Sequence, residues 1–492
     1  MNDFETKQAI VDALKKFQSS PLGEAASGLL GVLGYASKKR LTLKPNTLAT
    51  FLATFSLIAQ GNRLKTLLIR DVTIIDCAGG DPRPGLSVLI ANGRISSILP
   101  VSKLKAPVDA VIIDGRGKYL IPGLWNMHVH LGSYADGRQA LTDFLAQGVT
   151  GVRDMGSPLD GILRLRKEIA DATIIGPEMV IAGPIIQGPL PFEMPVFISA
   201  KDPSAARQAV DMLHTRGVDF IKIQDAIPHD VYVAVAEEAH KDGLAFAGHI
   251  PPTVLPGEAS DLGQHSIEHL GGRFWGVLLG SSSLEAELHV EEVQMYQDIL
   301  SALDAKKQPP VQNMRAPFTQ RVVESFDEHK TEALLRRFKR NDTWQCPTLV
   351  VLHTLWADGG IQYSTEDLHW ADRLIAKETM LISMMQKEGI GLLAGTDMSA
   401  NAKNGTIHDE LAAFVNAGLT PLQALETATS NPARFLEKSK DIGTVETGKI
   451  ANLVLLDANP LQDIHNTRLI SAVILRGQVV PRDPRGTAAA GQ

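Results

Sequence analysis

Residues 121–132 read IPGLWNMHVHLG, an apolar run interrupted by His128 and His130. On a strand, positions i and i+2 point to the same side. Two imidazoles would therefore converge on one point, as a divalent metal needs. With fourteen histidines in 492 residues, chance alone yields roughly 0.4 such pairs, so the pair is a weak signal by itself. Three later residues strengthen it. His249 closes AFAGH, His269 closes HSIEH and Asp397 closes LLAGTD. Each ends an apolar run, the place where a barrel puts its reactive groups. Lys222 lies inside FIKIQ, where a lysine is unfavourable unless paired or chemically changed. The plain alternative is a stem that snorkels to solvent. His265–His269 also fits the H-x-x-E-H pattern of one metalloprotease class. That chemistry needs a helix, whereas Gly263 and Gly271-Gly272 suit a short strand and a loop.

Working outward, the middle of the chain alternates short apolar runs with helical patterns. Candidate strands are 125–130, 151–154, 178–182, 220–223, 245–249, 266–269, 348–352 and 391–396, and helical patterns such as 202–216, 229–242 and 366–388 lie between them. Eight such units predict an α/β fold, a (β/α)8 TIM-type barrel over 121–437. Polar helix in excess over about 271–345 reads as an insertion between the sixth and seventh strands. Short β-branched runs with Gly79-Gly80, Asn92-Gly93 and Asp114-Gly115 between them precede the barrel, a hairpin signature. Similar runs return at 453–457 and 471–475. Segments 66–120 and 438–485 are thus expected to form one small β-sandwich domain from both ends of the chain.

Residues 1–65 have a different texture and read as an N-terminal helical extension. The segment 4–17 carries Ile10, Leu14 and Phe17 on one stripe. Lys38, Lys39, Arg40 and Lys44 precede an apolar stretch at 48–59, too short for a stable membrane span. A cytoplasmic protein is expected; export is the alternative if residues 38–60 act as a signal segment. The net charge of −7 without a basic block argues against nucleic acid as a partner. Two cysteines, Cys77 and Cys346, exclude a disulfide framework and a cysteine-based zinc site.

Together these motifs resemble the amidohydrolase superfamily from about residue 66 to 480. The resemblance is carried by IPGLWNMHVHLG, GVTGVRDMGS (148–157), GVDFIKI (217–223), AFAGHI (245–250), HSIEHL (265–270) and LLAGTDM (392–398). It is carried further by the stretch 408–436 and by GTVETGKIANLVLLDANPL (443–461). The pattern is similar to the imidazolonepropionase-like branch, with its Xaa-Pro and Xaa-Arg/Lys dipeptidases and ochratoxin-type amidases. The resemblance implies two divalent ions, expected to be Zn2+. His128 and His130 would hold the more buried ion, and His249 and His269 the second. A carboxylated Lys222 would bridge them, and Asp397 would be both a ligand and the catalytic proton shuttle. Asn126 and Asn452 stand where aspartate is common in the family; neither removes a ligand.

The implied activity is hydrolysis of a C–N amide bond in a small N-acyl amino acid or dipeptide, through a hydroxide shared by the two metals. Alternatives are a lactonase, cyclic-amide hydrolase or deaminase on the same metals, or a non-catalytic scaffold on the same fold. Tyr134 and His353 are candidate substrate contacts, with packed or rim positions as their plain alternative. A small-molecule substrate and a homo-oligomer are the expected partners.

Overall fold

The computed structural model describes residues 66–133, 137–189, 193–271, 275–305, 315–352, 365–400, 402 and 405–481. The extension 1–65 and the candidate contacts Tyr134 and His353 lie outside the described residues. Among the described residues no helix is long and apolar enough to cross a membrane.

The chain first lays down Leu67–Ile74 (β1), Arg83–Ala91 (β2), Arg94–Pro100 (β3), Val111–Asp114 (β4) and Tyr119–Pro122 (β5). Asn92 and Gly93 both take positive φ, 52° and 77°, the geometry that joins β2 to β3 in a tight hairpin. Next come Leu124–Val129 (β6), Val149–Asp154 (β7), Glu178–Ile181 (β8), Ile185–Gln187 (β9), Phe197–Ser199 (β10) and Phe220–Ile223 (β11). Ala245–Gly248 (β12), Gln264–Glu268 (β13), Trp344–Cys346 (β14), Leu453–Leu456 (β15), Ile470–Leu475 (β16) and Gln478–Val479 (β17) complete the strands.

Both ends of the chain share one sheet of order β17-β16-β15-β5-β1-β2-β3, with β4 added to β1. Its seam is the antiparallel pair β15–β5, where Val454 faces Ile121. The expected sandwich is one continuous hydrogen-bonded sheet that curls on itself. Its two distant ends meet: a Cβ on Gly477 would lie 2.7 Å from Gly93 Cα, and Ala451 N–H bonds to Gly93 O. Ile69, Ile74, Val88, Ile90, Leu120, Leu453, Leu455 and Ile474 fill the core that the curl encloses.

The middle of the chain forms two all-parallel sheets, β6-β7-β8 and β10-β9-β11-β12-β13-β14. Apart from β10, these strands are largely buried on both faces, as parallel strands between helices are. On one side Trp125, Met127, Phe220, Ala247, Trp344, Cys346 and Leu393 pack together. On the other, Leu124, Val149, Val152, Ile221, Phe246 and Ile267 pack with helix residues. The helices obey local rules. Asp202 accepts from Ala205 N at 2.8 Å and Pro203 opens helix Pro203–Thr215, a capped start.

Two expected strands differ from the structure. The run 348–352 is not a strand: residues 349–352 are helical, and β14 lies earlier, paired through Ser266↔Trp344 and Glu268↔Cys346. The β-branched TLVVL run favoured a strand on propensity. The buried Glu410 carboxylate instead accepts from Leu349 N and Val350 N, both at 2.9 Å, and so caps the start of a helix. The run 391–396 forms only the bridge Gln345↔Leu392. It is held by Leu393 N to Gln345 O, Met127 N to Ala394 O and Asp397 N to His128 O. The segment 271–345 is helical at Gly276–Gly280, Glu285–Asp304, Arg315–Glu324 and Glu328–Arg340, and its last residues are the strand β14.

Candidate metal centre

The centre is built at the carboxyl ends of the parallel strands. His128 sits on β6, where the pairing with β7 shifts register between Asn126 and Val129. The imidazoles of His128 and His130 lie with centroids 5.3 Å apart. His128 is 4.6 Å from His269, and His269 is 4.9 Å from His249. Asp397 reaches into this group. Its Oδ1 is 3.3 Å from His130 Nε2 and 3.7 Å from His128 Nε2, and its Oδ2 is 3.7 Å from His269 Nε2. About a quarter of the Asp397 side chain is exposed (26%), whereas that of His128 is wholly buried.

Each histidine spends its Nδ1 on the protein. His130 Nδ1 donates to Gly156 O at 2.9 Å. His128 Nδ1 meets Glu268 Oε2 at 2.7 Å, and His249 Nδ1 meets Asp225 Oδ1 at 2.7 Å. His269 Nδ1 meets Thr348 Oγ1 at 2.5 Å. The Thr348 hydroxyl proton goes to Pro347 O, so the threonine oxygen accepts from the imidazole. All four rings are thereby held as Nδ1–H tautomers with Nε2 lone pairs free, the arrangement of metal-ligating histidines. Among the described residues the buried Nε2 of His128 and Nζ of Lys222 have no hydrogen-bond partner.

Burial, with the charge of Lys222 behind it, holds His128 well below the ordinary histidine range. Burial followed by the charge of His128 does the same for His269. Burial also lowers His249, against the raising effect of Asp225. Neutral imidazoles are the state a cation requires. Lys222 is fully buried, so its stem does not snorkel. Burial pulls its amine down, with Glu268, Asp397 and Asp225 opposing. Clustered neutral imidazoles with a carboxylate, and a buried amine in their electrostatic neighbourhood, fit divalent cations in chemistry and burial.

The backbone is strained here. His269, Thr348 and Asp397 have φ of 54°, 51° and 49°, the left-handed region that side-chain-bearing residues enter at a cost of about 1–3 kcal/mol. Asp397 is anchored by its N–H to His128 O at 2.9 Å. Gly395 permits that approach. A methyl group there would lie 2.5 Å from Cys346 Sγ and 2.7 Å from His128 Cβ.

The model of the Amidohydrolase family matches residues 119–273 and 327–480. The chain belongs to the amidohydrolase family. A 5-methylthioadenosine/S-adenosylhomocysteine deaminase from Caldanaerobacter subterraneus subsp. tengcongensis is 25% identical over 428 residues, covering 83% of this chain and 88% of the relative. Among solved structures, a putative prolidase from Bifidobacterium longum superposes with a TM-score of 0.64 at 24% identity, covering 85% of this chain and 95% of its own. A Xaa-Pro dipeptidase with bound methionine gives a TM-score of 0.63 at 20% identity, covering 84% and 99%. The structural likenesses establish a shared fold.

In this amidohydrolase the structure gathers His128, His130, His249, His269 and Asp397 into one cluster, with Lys222 in their electrostatic neighbourhood. The H-x-x-E-H alternative meets a strand, β13. His265 there stacks on Phe435 at 4.2 Å, away from the centre. Sequence reasoning missed Arg153, Asp225, Thr348 and Glu410, and gave Glu268 no role beyond its place in the H-x-x-E-H pattern. A charged residue within or just after an apolar strand is the signal they carried: Arg153 in GVRD and Asp225 in FIKIQD. Asn126 has a positive role. Its side chain bonds Thr396 twice and receives His128 N, tying β6 to the strand end that carries Asp397.

Proposed function

We propose that this chain is a binuclear-metal amidohydrolase that cleaves the C–N amide bond of a small N-acyl amino acid or dipeptide. The two parallel sheets read as one (β/α)8 barrel whose strand ends carry the centre, next to a β domain made from both chain ends. His128, His130 and Asp397 would hold one divalent ion, expected to be zinc. His249 and His269 would hold the other, with Lys222 between them. Two such ions supply an activated water at neutral pH and a polarised carbonyl. The observation that carries the reading is Lys222, a fully buried amine without a hydrogen-bond partner among the described residues, whose charge acts on His128, His249 and His269.

The chain's own residues do the rest. A neutral Lys222 amine adds to carbon dioxide, forming an N–C bond and releasing one proton to solvent. The product is a carbamate, an anion able to bridge two cations. Nδ1–H bonds to Glu268, Gly156 O, Asp225 and Thr348 fix which nitrogen each histidine presents. Asp397 is the part of the centre placed to take a proton from water and return it to the leaving amine, since it combines proximity to three histidines with partial exposure. Deamination is the second reading, favoured by the named deaminase among the relatives.

Lys222→Ala separates them. The bridged reading expects the parent to hold two zinc ions per chain and to cleave members of a panel of N-acyl amino acids and Xaa-Pro, Xaa-Arg and Xaa-Lys dipeptides. The variant should lose one ion and most turnover, and a short carboxylic acid should restore part of both. Two ions and full turnover in the variant would refute the bridge; one ion per parent chain would favour deamination.

A further inference from the structure

The residues that back the histidines are not equivalent. His130 rests on a backbone carbonyl and His269 on a hydroxyl. His128 rests on Glu268, and that contact is the end of a longer buried chain. Glu268 Oε1 takes Arg153 at 2.8 Å and the Ser266 hydroxyl at 2.6 Å. Arg153 also donates to Ser266 Oγ at 2.8 Å and to Met127 O at 2.7 Å, the carbonyl just before His128. Its guanidinium stands over the Phe220 and Phe435 rings, 5.6 and 5.1 Å from their centroids. Side-chain exposure along this chain is 1% at Arg153 and 0% at Glu268 and His128.

A buried ion pair of this kind is weak evidence for stability, because desolvation offsets most of its attraction. Its geometry points elsewhere. Arg153 and Ser266 meet one carboxylate oxygen of Glu268, and His128 Nδ1–H meets the other. Strand alternation would send Glu268 and His269 to opposite faces. The positive φ of His269, 54°, turns both toward the centre, so the residue before one proposed ligand holds another across the barrel.

We infer that Glu268, held in place by Arg153, is a positioning residue that makes His128 a stronger metal donor and so sets the affinity of the half of the centre containing His128. This rests on the proposed two-metal reading. A carboxylate behind an imidazole fixes its tautomer and raises its basicity, and losing such a partner lowers metal affinity by about 10–100-fold.

The test is zinc titration of the full chain against a chromophoric chelator, with stepwise constants for parent, Glu268→Gln, His128→Ala and the double variant. Glu268→Gln should weaken one zinc ion by about 10–100-fold and leave the other within about threefold. Once His128 is alanine, adding Glu268→Gln should change nothing further, since the two act through one contact. Equal weakening of both ions, or an added loss on the His128→Ala background, is what a merely structural role predicts and would overturn the inference. Glu268→Gln leaves Arg153 buried beside an amide. If that variant fails to fold, Arg153→Met/Glu268→Gln removes the stranded cation and carries the same expectations. A parent that binds two zinc ions with constants unmoved by either variant overturns this inference alone. A parent that binds none overturns the two-metal reading with it.

Discussion

Glu292 offers a stability measurement whose sign and size follow from its surroundings. It lies on helix Glu285–Asp304, is 4% exposed, and its Oε1 has no partner among the described residues. Burial pushes its carboxyl from 4.5 up to about 8, with a Trp275 backbone N–H opposing and the Asp225 charge adding. The unfolded chain releases this proton near the ordinary value, while the folded chain keeps it until about pH 8. Between those limits the folded state binds more protons, so stability falls as pH rises and levels off above. The displacement corresponds to about 5 kcal/mol when complete. Glu292→Gln removes the titration and keeps the shape. Relative to the parent, the variant should therefore gain about 4 kcal/mol between pH 5 and pH 9. Any cost of the amide itself is a constant offset and leaves that slope untouched. Urea unfolding of both proteins at intervals across this range reads it, provided the m values agree. Parallel stability curves for parent and variant would refute the reasoning.

Asp397→Asn should lower turnover by at least about 100-fold, the usual worth of a positioned proton carrier, while the histidines still hold metal. Near-parental turnover with bound zinc would remove Asp397 from the chemistry. His128→Ala and His249→Ala should each hold one zinc ion fewer than the parent, from different halves. A double variant that retains one ion would show instead that both served the same half.

The residues of the centre were legible because each lies at the end of an apolar run, and strand periodicity is local. His128 and His130 followed from alternation, and the burial of Lys222 from the company of Phe220, Ile221 and Ile223. What orients them was not legible, because it is long-range. Glu268 reaches His128 across 140 residues of sequence, and Thr348 reaches His269 across 79. The displaced seventh strand has the same origin. Trp344-Gln345-Cys346 is short and carries a polar residue, so propensity favours the TLVVL run after it. Glu410, 60 residues away from Val350, reverses the choice by capping that run as a helix. The terminal β segments could be paired from sequence, but the curl that brings Gly93 to Gly477 depends on packing around Leu453 and Ile90.

The helix capped by Glu410 and the candidate metal centre are parts of one arrangement. Thr348 has positive φ and immediately precedes Leu349, whose N–H is held by Glu410. Its hydroxyl accepts from His269, which has positive φ itself. Asp397, the third strained residue, is tied by its N–H to His128 O. Three left-handed residues thus follow β13, β14 and the bridged run 391–396, and each is fixed by a bond from another element. Regular strands would alternate their side chains between core and helix layer. Breaking that alternation is what allows Glu268 and His269 to serve the centre together. Strain of about 1–3 kcal/mol per residue persists because Glu410, Asn126 and the β6 backbone hold these turns from outside. The sequence places the reactive groups at the strand ends, and the irregular backbone decides that they face one another.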